Sequence, residues 1–121
     1  MKNQEIKFIN SMQSYSILIG NNTLSLLSKK IKLLCPQTQK IVLIIDTNVP
    51  NKFKKVIINK LKNYKLLILP LSASEKNKSF KKVDIYLNKI LSYNLNRSDL
   101  IIGIGGGITG DVTGFVASIF K

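Results

Sequence analysis

A chain of 121 residues with nineteen basic and six acidic side chains has a formal charge of +13, yet 45% of it is hydrophobic and its mean hydropathy is +0.12. That apolar share excludes a disordered basic tail, because disorder needs low hydrophobicity alongside high charge. It also gives a chain of this length enough material for a real core. No apolar run reaches the roughly 18 residues of a membrane span, the first residues are polar with no signal-peptide stretch, and the single Cys35 cannot form an internal disulfide; a cytoplasmic protein is expected.

Eighteen of the nineteen cations are Lys and one is Arg97, beside eighteen Ile and twelve Asn. These are residues that AT-rich codons encode, and base reading favours the planar Arg fork over the Lys point charge. The charge is therefore read as compositional drift, with no nucleic-acid and no membrane partner expected. Service of some lysines to an anionic substrate stays open.

Apolar spacing switches repeatedly between periods of 2 and 3.6. Ile6 and Phe8, then Tyr15, Ile17 and Ile19 before Gly20, predict two short strands that could pair as a hairpin. Leu24, Leu27, Ile31 and Leu34 predict a helix stopped by Pro36. Residues 41–45 form a continuous apolar run of the kind buried on both faces of a parallel sheet. Phe53, Val56, Ile57, Leu61 and Tyr64 predict a second helix with Pro50 just inside its start. Residues 66–69 read as a strand ended by Pro70; Phe80, Val83, Leu87, Ile90 and Leu91 as a helix terminated at Asn94 and Asn96; residues 100–104 as a further buried strand; and residues 110–120 as a last helix. This alternation predicts α/β architecture with a mostly parallel sheet. Ligands should then sit outside the carboxyl ends of the strands, where residues 46–48, residues 72–79 and the turn beginning at Gly105 gather.

That turn has the strongest chemical signal. Gly105, Gly107 and Gly110 satisfy G-x-G-x-x-G after a strand and before a helix, where main-chain N–H groups and the positive helix end can meet a diphosphate. A tight βα turn with close helix–sheet packing is the alternative. Asp46 and Asn48, just past the apolar run, suit ribose hydroxyls or, equally, a turn and helix cap before Pro50. Glu75 and Lys78 read on their own as a solvated pair, Asp111 as a carboxylate in a first helical turn, and Thr109 and Thr113 as caps or packing. With no His at all, the sequence has no Ser-His or Cys-His pair and no histidine-containing metal site. No catalytic and no metal-ligating residue is assigned.

Residues 103–118, GIGGGITGDVTGFVAS, resemble the N-terminal glycine signature of the 3-dehydroquinate synthase family within the sugar phosphate cyclases. YSILIG from Tyr15, the IIDTNV segment and the E-x-x-K-S segment follow in family order, so the resemblance covers the chain; one departure is Ser74 where the family usually has Gly. It implies a Rossmann-like, mostly parallel sheet flanked by helices, incomplete because the C-terminal helical domain is absent, with residues 1–121 as a partial NAD-binding domain. By position it implies NAD contacts at Asp46, Asn48, Glu75, Lys78, Gly105, Gly106, Gly107, Ile108 and Asp111. It further implies conversion of a phosphorylated seven-carbon sugar acid to 3-dehydroquinate and phosphate, on the route to chorismate and the aromatic amino acids. NAD would be the cofactor, with a divalent metal, zinc or cobalt, on one Glu and two His outside this chain, in a homodimer. The apolar Phe115, Val116, Ile119 and Phe120, ending at Lys121 without a cap, lead to the expectation of a fragment that is inactive alone. Beside this stand a related cyclase acting on sedoheptulose 7-phosphate or glucose 6-phosphate, and a stand-alone nucleotide-binding module.

Overall fold

Five apolar residues in succession need cover on both faces, and that requirement organises the chain. In the computed structural model, which describes residues 3–12, 14–72 and 80–120, the run lies in strand β3 (Lys40–Asp46), where residues 41–46 are all buried. β3 pairs in parallel with β4 (Lys65–Leu71) on one side, from Lys40↔Lys65 to Asp46↔Leu71, and with β5 (Leu100–Ile104) on the other, from Ile41↔Leu100 to Ile45↔Ile104. The sheet order is therefore β4-β3-β5.

Alternate β3 side chains feed two cores. Ile41, Leu43 and Ile45 pack with Ile31 of α1 (Leu27–Leu34) and Ile57 of α2 (Asn51–Lys60). Val42 and Ile44 pack with Val83, Tyr86 and Ile90 of α3 (Phe80–Ser92) and with Val112 and Val116 of α4 (Gly107–Phe120). Helices thus cover both faces of a parallel sheet, the α/β arrangement that the alternation of periods predicts.

Several boundaries differ from the sequence reading, each for a local reason. Residues 23–26 form a 3-10 turn before α1. Pro50 caps α2 from outside, with φ −57° and ψ 142°, because its fixed φ and missing N–H suit the entry to a helix; α2 ends at Lys60, short of Tyr64. β4 runs through Pro70 to Leu71, which an edge strand tolerates because the missing N–H faces away from its partner. The Pro70 carbonyl is also used: the buried Tyr86 hydroxyl donates to it at 2.8 Å. β5 is half-buried, not fully buried, because it too is a sheet edge. α4 starts at Gly107, three residues ahead of expectation. Asn94 ends α3 in the left-handed region (φ 57°), a conformation Asn accepts more readily than most residues. Cys35 is half-buried and unpaired.

β1 (Gln4–Ile9) and β2 (Ser14–Ile19) form the antiparallel hairpin in a sheet of their own, with Phe8 stacked on Tyr15 at 4.9 Å. Ile6, Phe8, Tyr15, Ile17 and Ile19 share one face of it, all more than two-fifths exposed. On α4, Val116 is buried while Phe115 and Ile119 are exposed. Among the described residues no helix is long and apolar enough to cross a membrane.

The amino edge of the sheet is tied by Asp99. Its carboxylate accepts from the backbone N–H groups of Gln39 and Lys40 at 3.0 Å and of Asn96 at 2.8 Å. Burial pushes this carboxyl up, but the three N–H donors and the Lys40 charge outweigh it and hold it below its ordinary 3.8. Because the folded-state value is the lower one, the stabilisation is present above the unfolded value and is lost as pH falls through the folded one. The unfolding free energy of the wild type should therefore exceed that of Asp99→Asn at neutral pH. In urea titrations the gap should narrow between about pH 5 and pH 2.

Candidate functional site

In the order β4-β3-β5 the chain crosses from β3 to β4 on one side and then from β4 back over β3 to β5 on the other, so the crevice between the carboxyl ends of β3 and β5 is the topological switch point, where α/β sheets take their ligands. Asp46 ends β3 on one side of that crevice, and Gly105 follows β5 on the other. The two touch: a Cβ built on Gly105 would stand 2.8 Å from the Asp46 Cβ and 2.6 Å from the Thr109 Oγ1. Gly105 also has φ +154°, a value that disfavours any side chain. Glycine at this position is a requirement of the fold.

Gly106 and Gly107 are different. A Cβ on either would meet nothing within 4 Å among the described residues, and neither has a left-handed φ. Packing therefore does not demand glycine at 106 or 107. What their missing side chains leave is open space at the start of α4, whose first amides have no acceptor within the helix; the first helical bond in this turn is Gly110 N–H to the Gly106 carbonyl at 3.0 Å. Bare backbone, free donors and the positive end of a helix dipole make a cradle for an anion such as a diphosphate.

Across the crevice, Asp46 is 9% exposed and its Oδ1 accepts from the Asn48 N–H at 2.9 Å, while Val49 N–H donates to the Asp46 carbonyl at 3.1 Å. Of the turn and helix cap expected here, the turn forms, held by the Asp46 side chain, but the cap does not: Pro50 is the N-cap of α2 and no side chain caps it. The turn leaves the second carboxylate oxygen without a hydrogen-bond partner among the described residues, so turn formation and ligand acceptance are compatible. Thr47 N–H donates to the Leu71 carbonyl at 2.9 Å, which binds this loop to the end of β4. Lys54 donates to the Thr47 carbonyl at 3.3 Å and so sets an ammonium beside the turn, a feature that the sequence reading missed.

Asp46, Gly105, Gly106 and Gly107 come together at one edge. Ile108 and Asp111 follow in the first turns of α4, Ile108 half-buried and Asp111 exposed, and Asn48 is exposed beyond Asp46. Glu75, Lys78 and Ser74 lie outside the described residues. Thr109 and Thr113 are packing residues, one of the two roles expected of them, but both hydroxyls are buried without a hydrogen-bond partner among the described residues. No three His, Cys, Asp or Glu side chains gather among the described residues. A cleft of about 490 Å³ does exist at the opposite, amino edge, between Cys35, Arg97 and Ala117. Its carboxylate, Asp99, is already committed to three backbone donors.

The glycines predict their own test. Gly105→Ala should destabilise by about 1–3 kcal/mol through its φ and the Asp46 and Thr109 contacts. Gly107→Ala should stay within about 0.5 kcal/mol of wild type. Denaturant unfolding of both variants measures the contrast.

Comparison with known proteins adds the family context. Residues 68–121 match the family described as 3-dehydroquinate synthase N-terminal. A 3-dehydroquinate synthase of Pelagibacter ubique is 41% identical over 117 residues, 97% of this chain and 32% of the relative. One from Clostridium acetobutylicum is 32% identical over 122 residues, 99% of this chain and 33% of the relative. The chain thus spans about a third of the length of the curated relatives it matches. Among solved structures, 2-deoxy-scyllo-inosose synthase superposes with a TM-score of 0.80 at 22% identity, over 98% of this chain and 33% of that one. A second structure of that enzyme, complexed with carbaglucose-6-phosphate, NAD+ and Co2+, gives 0.79 at 22% identity, over 98% and 31%. The 2-epi-5-epi-valiolone synthase of Streptomyces hygroscopicus, with NAD+ and Zn2+ bound, gives 0.72 at 17% identity, over 93% and 31%. At these identities the structural likeness establishes the Rossmann-like fold.

Proposed function

The chain belongs to the 3-dehydroquinate synthase family, and from that premise we propose that residues 1–121 supply part of the NAD-binding domain of an enzyme that converts 3-deoxy-D-arabino-heptulosonate 7-phosphate to 3-dehydroquinate and phosphate. The observation that carries the reading is the juxtaposition of Asp46 with the glycine turn across the switch point, beside space at Gly106 and Gly107 that packing does not fill.

The residues fit a dinucleotide. Asp46, steadied by the Asn48 N–H, has a carboxylate oxygen available to accept from a ribose hydroxyl. The backbone N–H groups of Gly106, Gly107 and Ile108 would receive the diphosphate at the α4 N-terminus. Asp111, Glu75 and Lys78 complete the set that the family resemblance assigns to NAD. Lys54 adds a positive charge beside the Asp46–Asn48 side of the cleft. The cofactor's contribution when bound is reversible hydride storage. This chain holds and orients it and supplies no proton-transfer group of its own in this reading.

A divalent metal accompanies the activity in the proposed whole enzyme, but a sequence without His does not fit the two-histidine site that the family uses. Lyase activity, a homodimer and a cytoplasmic location belong to the same proposal for the whole protein. A second reading, a cyclase acting on a glucose 6-phosphate-like substrate, draws on the neighbour solved with carbaglucose-6-phosphate. Identity of 41% to a 3-dehydroquinate synthase against 22% to that neighbour favours the first.

Calorimetric titration with NAD+ tests the assignment. The chain should bind weakly, since only part of a cleft encloses the ligand. Gly107→Val should abolish that binding with thermal stability retained, through occupied space and not through a disfavoured backbone angle, since Gly107 is helical. Unchanged affinity in a folded Gly107→Val protein would refute the cradle. In parallel, the chain alone should release no phosphate from the heptulosonate phosphate and take up no stoichiometric zinc. Metal-dependent phosphate release by these residues would contradict the division of labour.

A further inference from the structure

Behind the glycine turn, β5 and α4 meet through two matched rungs. Gly105 faces Thr109, and Gly103, two residues back on the same face of β5, faces Thr113, one turn further along α4. A Cβ on Gly103 would stand 2.8 Å from the Thr113 Cβ, so only glycine lets the helix lie this close to the strand. We propose that Thr109 is a positioning residue for the glycine turn, acting by its shape. On the reading that this turn receives the diphosphate, Thr109 on one side and the Asp46 Cβ on the other hold Gly105 and thereby fix where the Gly106 and Gly107 amides point.

Three observations carry this. Gly105 occupies a φ of +154°, so its peptide planes are set by what surrounds it rather than by a preferred L-residue basin. Thr109 is 0% exposed, so a ligand in the crevice does not reach its hydroxyl, and that hydroxyl has no hydrogen-bond partner among the described residues. The methyl and hydroxyl branches on its Cβ restrict χ1, making the side chain a stiff wedge. Thr113 has the same chemistry and the same orphaned hydroxyl against Gly103, but it lies a turn away from the amides. It therefore separates positioning from packing in general.

The experiment compares Thr109→Val, Thr109→Ala and Thr113→Ala by NAD+ calorimetry, thermal unfolding and amide hydrogen exchange without ligand. Thr109→Val keeps the wedge and removes the orphan hydroxyl; it should bind NAD+ as the wild type does and raise Tm by about 2–6 °C. Thr109→Ala should weaken NAD+ by about tenfold and speed exchange at Gly110, whose N–H is held by the Gly106 carbonyl and so reports the geometry of the turn. Thr113→Ala should lower Tm while leaving affinity and the Gly110 amide unchanged. Wild-type affinity in a folded Thr109→Ala protein overturns the inference. So does an equal loss in Thr109→Val, which would place the role in the hydroxyl, or an equal loss in Thr113→Ala, which would reduce it to packing. If the wild type fails to bind NAD+, the cofactor reading fails, and the exchange comparison of Thr109→Ala with Thr113→Ala still decides the positioning role.

Discussion

The arrangement at the carboxyl edge depends on β3 having a parallel neighbour on each side. A strand that contributes alternate side chains to two cores must lie inside the sheet. With β4 and β5 flanking it, the chain must cross from one side of β3 to the other between them. That crossing opens the crevice between Asp46 and Gly105. Burying residues 41–45 therefore does more than stabilise. It fixes where a ligand can enter, and it sets the end of β3 against the start of α4.

The second constraint is closeness. α4 lies on β5 over two glycines, and the threonines that fill the space leave their hydroxyls unsatisfied. A buried hydroxyl without a partner costs roughly 1–3 kcal/mol. A fold that retains two of them at its glycine turn tolerates a local cost where α4 must approach the sheet closely. Valine would fill the same volume without it.

Much of this was legible in the residues. The continuous apolar run at 41–45 announced a doubly buried strand, and the glycine pattern announced a strand–turn–helix; both follow from periodicities that tertiary context cannot easily override. Asp46 was legible as a position but ambiguous as a role, since the same short carboxylate makes a turn and can accept from a ligand, and here it has capacity for both. The reading failed where cover decides. Gly103 apart, residues 100–104 are as apolar as residues 41–45, and one glycine does not tell an edge strand from a central one; pairing on one side only leaves them half-buried. Pro70 was taken for a stop because a proline ends most strands, yet at an edge it costs no ladder bond. The division among the glycines was invisible in sequence: Gly105 is required by the fold, while Gly106 and Gly107 are not.

The central claim, that the crevice between β3 and β5 receives a nicotinamide dinucleotide, is tested most directly by proton–nitrogen correlation spectra of the labelled chain titrated with NAD+. The account predicts that amide shifts concentrate at residues 46–48 and 105–111, with the hairpin of β1 and β2 unmoved. Absence of shifts at those two segments, or their concentration at residues 35–37 and 95–99 around the amino-edge cleft, would contradict it.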